Sequence, residues 1–208
     1  GPGPDPNHEY IYIADIGDNF SKIKTKKIYR FKEPLINLDA VNIPFKINIK
    51  DYDTIKFIYP DGKRDAESIM IDFRTKDLFV ISKREPNPHL YKIENKATIG
   101  KPVVASLVGN IVITPDEDYK MADKIVSADI SRDNKKILLK TYTQVIMIQK
   151  GYMDTVSDAI IFKQNILEYN PEPQGESICW GLSAKGFYTL SEEVNNMPAH
   201  LYYYPQFK

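Results

Sequence analysis

Cysteine is almost absent: Cys179 is the single one in 208 residues, so the chain forms no internal disulfide. That fits a reducing cytosol, and equally a periplasmic or secreted fold whose core suffices without cross-links. Cys179 sits in the apolar run Ser177-Ile178-Cys179-Trp180, which reads as a buried small hydrophobe. Histidine is scarce too, and His8, His89 and His200 stand too far apart for a His-rich zinc site. Net charge is missing, since 28 Lys+Arg balance 28 Asp+Glu. A dedicated nucleic-acid binder needs a basic excess to neutralise phosphates, so that class is excluded. No apolar run approaches the roughly 18 residues of a membrane-spanning helix. No signal-peptide pattern is present, although an N-terminal truncation would remove one. Nor does any segment hold the i, i+3, i+4 spacing of an amphipathic helix. Met153 to Ile160 has room for a short turn at most.

What the chain does contain is a repeat. Glu67-Ser68-Ile69, Leu78-Phe79-Val80-Ile81-Ser82 and His89-Leu90-Tyr91 return as Glu176-Ser177-Ile178, Phe187-Tyr188-Thr189-Leu190-Ser191 and His200-Leu201-Tyr202. A looser copy runs Ser127-Ala128-Asp129-Ile130, Ile137 to Thr141 and Val145 to Ile148. A partial copy opens the chain with Tyr10 to Asp15 and Lys27 to Phe31. The runs are short and rich in Ile, Val, Tyr and Phe, as strands are. Turn signals part them, among them Asp61-Gly62, Asp133-Asn134 and Ala184-Lys185-Gly186. Several runs are apolar on both faces, which a sheet sandwiched between neighbouring sheets requires. Repeats of this length with several strands each predict an all-β fold, a β-propeller of about four blades.

Ile43 to Ile49 and Thr54 to Tyr59 are expected to complete the first blade. Val103 to Val108 and Asn110 to Thr114 would complete the second, and Ile160 to Gln164 the third. The last blade is expected to stop at Tyr202-Tyr203-Tyr204, and the first to open on a second strand. Residues 1–208 therefore read as one propeller domain that begins and ends mid-blade. The expected parent is a five- or six-bladed ring whose N-terminal part is missing.

Further segments carry a resemblance. They are Asp15-Ile16-Gly17-Asp18-Asn19, Tyr59-Pro60-Asp61-Gly62 with Arg64-Asp65-Ala66-Glu67, Ala128-Asp129-Ile130-Ser131, and Pro173-Gln174-Gly175-Glu176-Ser177-Ile178. Their order and spacing resemble a widespread, largely uncharacterised family of mainly bacterial, exported propeller proteins. More distantly the chain is similar to lactonase, gluconolactonase and phytase-like propellers, some of which hold calcium in a central channel. The resemblance implies a secreted, periplasmic or cell-surface location. Members of the family carry an upstream acidic, Trp-containing inner-strand motif that this chain lacks.

The repeat places Asp65, Glu67, Asp129 and Glu176 at the starts of inner strands, where a propeller converges on its channel. Several oxygen ligands from separate blades suit Ca²⁺, so these four are candidate metal ligands. Asp15, Asp18 and Asn19 form a second oxygen-rich candidate cluster. The structural alternative has the same acids lock blade to blade, through backbone amides or pairs with Arg64 and Arg132. No EF-hand loop and no Gly-x-Ser-x-Gly elbow is present. Ser82 and Ser191 read as strand-end hydrogen bonders. Glu192 and Glu193 follow Ser191 where Lys83 and Arg84 follow Ser82, a charge reversal that marks variable rim loops. Two function classes follow. One is a non-enzymatic binding or scaffold propeller that recognises a protein or glycan through those loops. The other is a calcium-dependent hydrolase of the lactonase or phosphoesterase type.

Overall fold

The computed structural model describes residues 1–36, 46–96, 99–113, 123–162, 164–194 and 196–205. Three strands open the chain: β1 (Tyr10–Asp15), β2 (Lys26–Lys32) and β3 (Asp53–Ile58). The next five are β4 (Ala66–Ile71), β5 (Leu78–Ser82), β6 (His89–Ile93), β7 (Pro102–Val104) and β8 (Ser106–Asn110). Then come β9 (Ile125–Ile130), β10 (Lys136–Thr141), β11 (Val145–Gln149), the helical turn α1 (Val156–Ala159) and β12 (Gln164–Leu167). The last are β13 (Gly175–Trp180), β14 (Gly186–Ser191) and β15 (Leu201–Pro205). They form four sheets, ordered β1-β2-β3-β7, β4-β5-β6-β8, β9-β10-β11-β12 and β13-β14-β15. The inner strands are neighbours, β4 packing on β9 and β9 on β13. These are four blades of a β-propeller.

The blades are held by three apolar layers, each between two sheets. The first joins Ile28, Ile55 and Phe57 to Leu78, Val80 and Tyr91. The second joins Phe79, Ile81 and Leu90 to Ile137, Leu139 and Ile146, and the third joins Leu138 and Val145 to Ile178, Trp180 and Phe187. The alternation along β5 explains its sequence. All five of its residues are buried, with Leu78 and Val80 facing one layer and Phe79 and Ile81 the other. Each such side chain contributes about 1.5–3 kcal/mol by leaving water. The inner hairpins repeat as well. Lys76, Asn134 and Ala184, each two residues before the following strand, all take positive φ, at 63°, 61° and 52°.

Several strand expectations change. Residues 46–49 carry no strand, and 43–45 lie outside the described residues. The run Val103 to Val108 does not serve one blade. Its first part, β7, lies parallel to β3 and so extends the first sheet. Ala105 then donates its N–H to the Ile58 carbonyl at 2.9 Å, and β8 continues antiparallel to β6 in the second sheet. The physical reason is an open edge on β3, whose backbone groups need partners. No strand follows at 111–113, and Thr114 is not described. In the third blade α1 ends at Ala159, residues 160–162 continue as a turn rather than a strand, and β12 begins only at Gln164. Thr155 caps that turn by accepting the Asp158 N–H.

Cys179 is a correction too: it is exposed. Side chains alternate along β13, so Ile178 and Trp180 enter the third apolar layer while Ser177 and Cys179 face away.

Candidate functional site

Loops at one end of the blades bring four polar side chains together at the mouth of the channel. Glu67 and Glu176 are the second residues of β4 and β13, while Lys83 and Tyr142 follow β5 and β10. The Lys83 ammonium pairs with Glu67, donates to the Tyr142 hydroxyl at 2.9 Å, and lies 4.0 Å from a Glu176 oxygen. The Tyr142 hydroxyl in turn donates to Glu176 at 2.5 Å. The Lys83 side chain is only 4% exposed, so this cation is almost entirely inside the site. Burial raises the Glu67 carboxyl above its usual range, against the pull of Lys83. Burial and the neighbouring Glu176 raise the Tyr142 hydroxyl, so it stays a donor at neutral pH. Beside this group is a cleft of about 230 Å³, lined by Glu67, Val126, Glu176, Ser177, Ser191 and Glu192.

Asp65, Asp18 and Asn19 meet in a second group on the same side. The buried Asp65 carboxylate accepts from Arg84 Nε and from the Asp18 N–H, both at 2.7 Å. Arg84 also reaches Asn19 Oδ1 at 2.5 Å. Desolvation pulls the Asp18 carboxyl upward. The N–H groups of Lys22 and Ile23 and the Lys26 ammonium outweigh it and hold the pKa at about 2. Lys83 and Arg84 thus tie the two groups together through adjacent residues. Asp15 ends β1 on the surface and has no side-chain hydrogen bond or ion pair among the described residues.

Asp129 does not join them. It is the fifth residue of β9, and Val126 fills the position matching Glu67 and Glu176, as its place in the cleft shows. The sequence alignment of Asp129 with those acids is therefore three residues out of register. Its apolar surroundings in β9 gave composition nothing to fix the offset. At the far end of its strand Asp129 accepts the Ile130 N–H at 2.9 Å and the Trp180 N–H at 2.8 Å. It staples β9 to β13, and burial raises its pKa to about 6 despite those two bonds. The expected arginine partners also differ. Arg64 pairs with Asp61 and Glu85, and Arg132 with Glu9.

Sequence reading missed Lys83 and Tyr142 as site residues. Their signal was positional: each directly follows a strand end that the repeat had matched, Ser82 and Thr141. Among the described residues, no three His, Cys, Asp or Glu side chains cluster tightly enough to hold a metal ion. A calcium ion between Glu67 and Glu176 would have to displace the ammonium of Lys83.

A larger concavity, about 410 Å³, opens on the rim of the fourth blade. The loop entering β13 supplies Pro171, Glu172 and Pro173, and the β14–β15 connection supplies Glu192, Val194 and Met197. His200, Tyr202 and Tyr204 complete the wall, and Tyr204 stacks on Phe187 with ring centroids 5.0 Å apart. Glu172 accepts from the Thr189 hydroxyl and has buried Lys140 near it. Glu192 has no ion pair or side-chain hydrogen bond among the described residues. Among the described residues, no lysine or arginine lines the pocket.

No protein-family model matches the chain, and no curated protein sequence does either. Solved structures do. The Pseudomonas aeruginosa periplasmic gluconolactonase PpgL aligns with 94% of this chain and 55% of its own, at 9% identity and a TM-score of 0.51. It shares the propeller fold. A chain of the nidogen/laminin complex matches at 8% identity and a TM-score of 0.45, over 93% of this chain and 61% of that one. A luciferin-regenerating enzyme matches at 10% identity and a TM-score of 0.45, with the same coverages of 93% and 61%. The chain spans a little over half the length of each of these three. At such identities the likeness concerns the fold alone. No described helix is long and apolar enough to cross a membrane.

Proposed function

We propose that this chain is a non-enzymatic binding propeller, exported to the periplasm or cell surface, that holds a polypeptide partner on its rim loops. One contrast carries the reading. At the channel mouth Glu67 is engaged by Lys83, Glu176 by Tyr142 and Asp65 by Arg84, whereas the rim pocket, which shares Glu192 with that cleft, is open. Loops on a rigid frame can change their side chains without disturbing blade packing, which suits a recognition surface. Of the two ligand classes open to the sequence, protein is favoured over glycan. The pocket joins carboxylates to tyrosine rings, a combination that receives cationic and apolar side chains. Export rests on the likeness of the repeats to exported propellers.

The second reading is a calcium-dependent hydrolase of the lactonase or phosphoesterase type. It draws on the cleft beside Glu67, Glu176 and Glu192, whose oxygens suit a hard cation. Thermal unfolding with excess calcium and then with a chelator separates the two. The binding reading expects no calcium-dependent shift and no turnover of lactones or phosphoesters. An ion bound only to the folded state would add about 2.7 kcal/mol at a hundredfold excess over its Kd. Such a rise, lost in Glu67→Gln and Glu176→Gln, would replace the binding reading with the hydrolase.

A further inference from the structure

The second and fourth blades are the best-matched repeats, and they treat the same place differently. In the second blade Arg64, three residues before Glu67, turns its guanidinium inward. Its Nε lies 3.4 Å from the Tyr91 hydroxyl and 3.1 Å from Glu85, and its Nη2 lies 3.1 Å from Asp61. His89 closes the group, with Nδ1 2.9 Å from the Tyr91 hydroxyl. An arginine from the chain itself is thus held by two carboxylates and a tyrosine, and the histidine braces that tyrosine and Asp61.

In the fourth blade the residue three before Glu176 is Pro173. His200 and Tyr202 repeat His89 and Tyr91, and their rings keep the same spacing, 6.0 Å against 5.9 Å. Two carboxylates, Glu172 and Glu192, are again present, but from other positions of the repeat. Among the described residues no guanidinium enters the lining, and Pro173, at the position of Arg64, borders the open pocket. Lys140 offsets Glu172 from behind, which leaves Glu192 as the carboxylate facing the opening without a cation. Tyr204 on the pocket wall packs against the apolar layer that the fourth blade shares with the third.

We propose that the rim pocket of the fourth blade receives an arginine side chain from a partner polypeptide, in the place that Arg64 fills in the second blade. This deepens the binding reading above and rests on it. The guanidinium would pair with Glu192, lie against Tyr202, and have its flanking residues covered by Met197 and the pocket prolines. Planar bidentate pairing and ring stacking select arginine over lysine. In the second blade the same kinds of group hold Arg64, whose Nε and Nη2 reach separate carboxylates, Glu85 and Asp61, and whose Nε also meets the Tyr91 hydroxyl.

Fluorescence polarisation tests it with a labelled pentapeptide, Gly-Ser-Arg-Ser-Gly, against the same peptide carrying citrulline, which keeps the shape and loses the charge. The expected result is saturable binding of the arginine peptide, at least tenfold weaker for citrulline and weaker at high salt. Glu192→Gln should weaken binding several-fold and Tyr202→Ala further. Pro173→Arg should abolish it, because the chain would then fill its own pocket as the second blade does. Lys24→Gln, on the exposed connection between β1 and β2, should leave it unchanged, and circular dichroism confirms that each variant is folded. Equal affinity for both peptides, or full binding by Pro173→Arg, overturns the proposal. Maltohexaose binding in competition with no peptide binding would overturn arginine recognition while leaving a rim-binding propeller in place. A calcium-dependent stability shift would instead remove the binding reading itself.

Discussion

Asp129 and Lys140 are both ionisable groups that burial pushes toward their neutral forms, and each makes stability depend on pH in its own window. Asp129 has a folded pKa of about 6 against 3.8 for an unperturbed carboxyl. The folded state therefore binds the proton more tightly, and stability falls as pH rises from about 4 to about 6. The difference amounts to about 3 kcal/mol. Asp129→Asn cannot ionise, so denaturant titrations between pH 4 and 7 should show that decline flattened. An undiminished slope would place the titration elsewhere. Lys140 has the opposite sense. Burial lowers it from 10.5 to about 8, against the pull of Glu172 and Glu176. Its stabilising contribution is present above pH 10.5 and lost as pH falls through 8. Lys140→Met, which removes the charge but keeps the stem, should flatten the alkaline limb. At the channel mouth Lys83→Met should cost about 3 kcal/mol, because it leaves Glu67 without its cation in a buried setting. Adding Glu67→Gln should recover part of that loss in the same unfolding assay.

At the scale of the strand, apolar residues on both faces decide the architecture. Val80 and Ile81 are adjacent in β5 but pack into different inter-blade layers with no shared partners. Val80→Ala and Ile81→Ala should each cost about 1–4 kcal/mol through lost burial and a cavity. Their double variant should equal the sum within about 0.5 kcal/mol, because the two layers are separate. A strongly non-additive result in chemical unfolding would mean that the layers act as one core. This two-sided pattern was legible in the sequence, as were the hairpin turns and the three-stranded fourth sheet. The path from β6 to β8 was not. That segment carries ordinary strand residues throughout, and only the unpaired edge of β3 decides that Pro102–Val104 leaves for the first sheet. Side-chain composition carries no signal of a neighbour's unpaired backbone.

For the molecule as a whole, repeat matching worked where polar residues anchored it and failed where they did not. Glu67 and Glu176 fell in equivalent places because Glu-Ser-Ile recurs, and the structure brings them to one cleft. Asp129 had only a short apolar match and slipped by three residues, which carried it to the far end of its strand. Lys83, Tyr142 and Arg84 went unassigned because sequence gives no view of which loop residues converge on one end. The charge reversal from Lys83-Arg84 to Glu192-Glu193 was visible, and it now separates a site filled by its own cations from one that presents acids. Hydrogen–deuterium exchange with and without the arginine pentapeptide tests this division most directly. Slower exchange is expected in residues 170–174 and 191–202, with no change around Glu67, Lys83 and Tyr142. Protection at the channel mouth, with the rim unaffected, would contradict it.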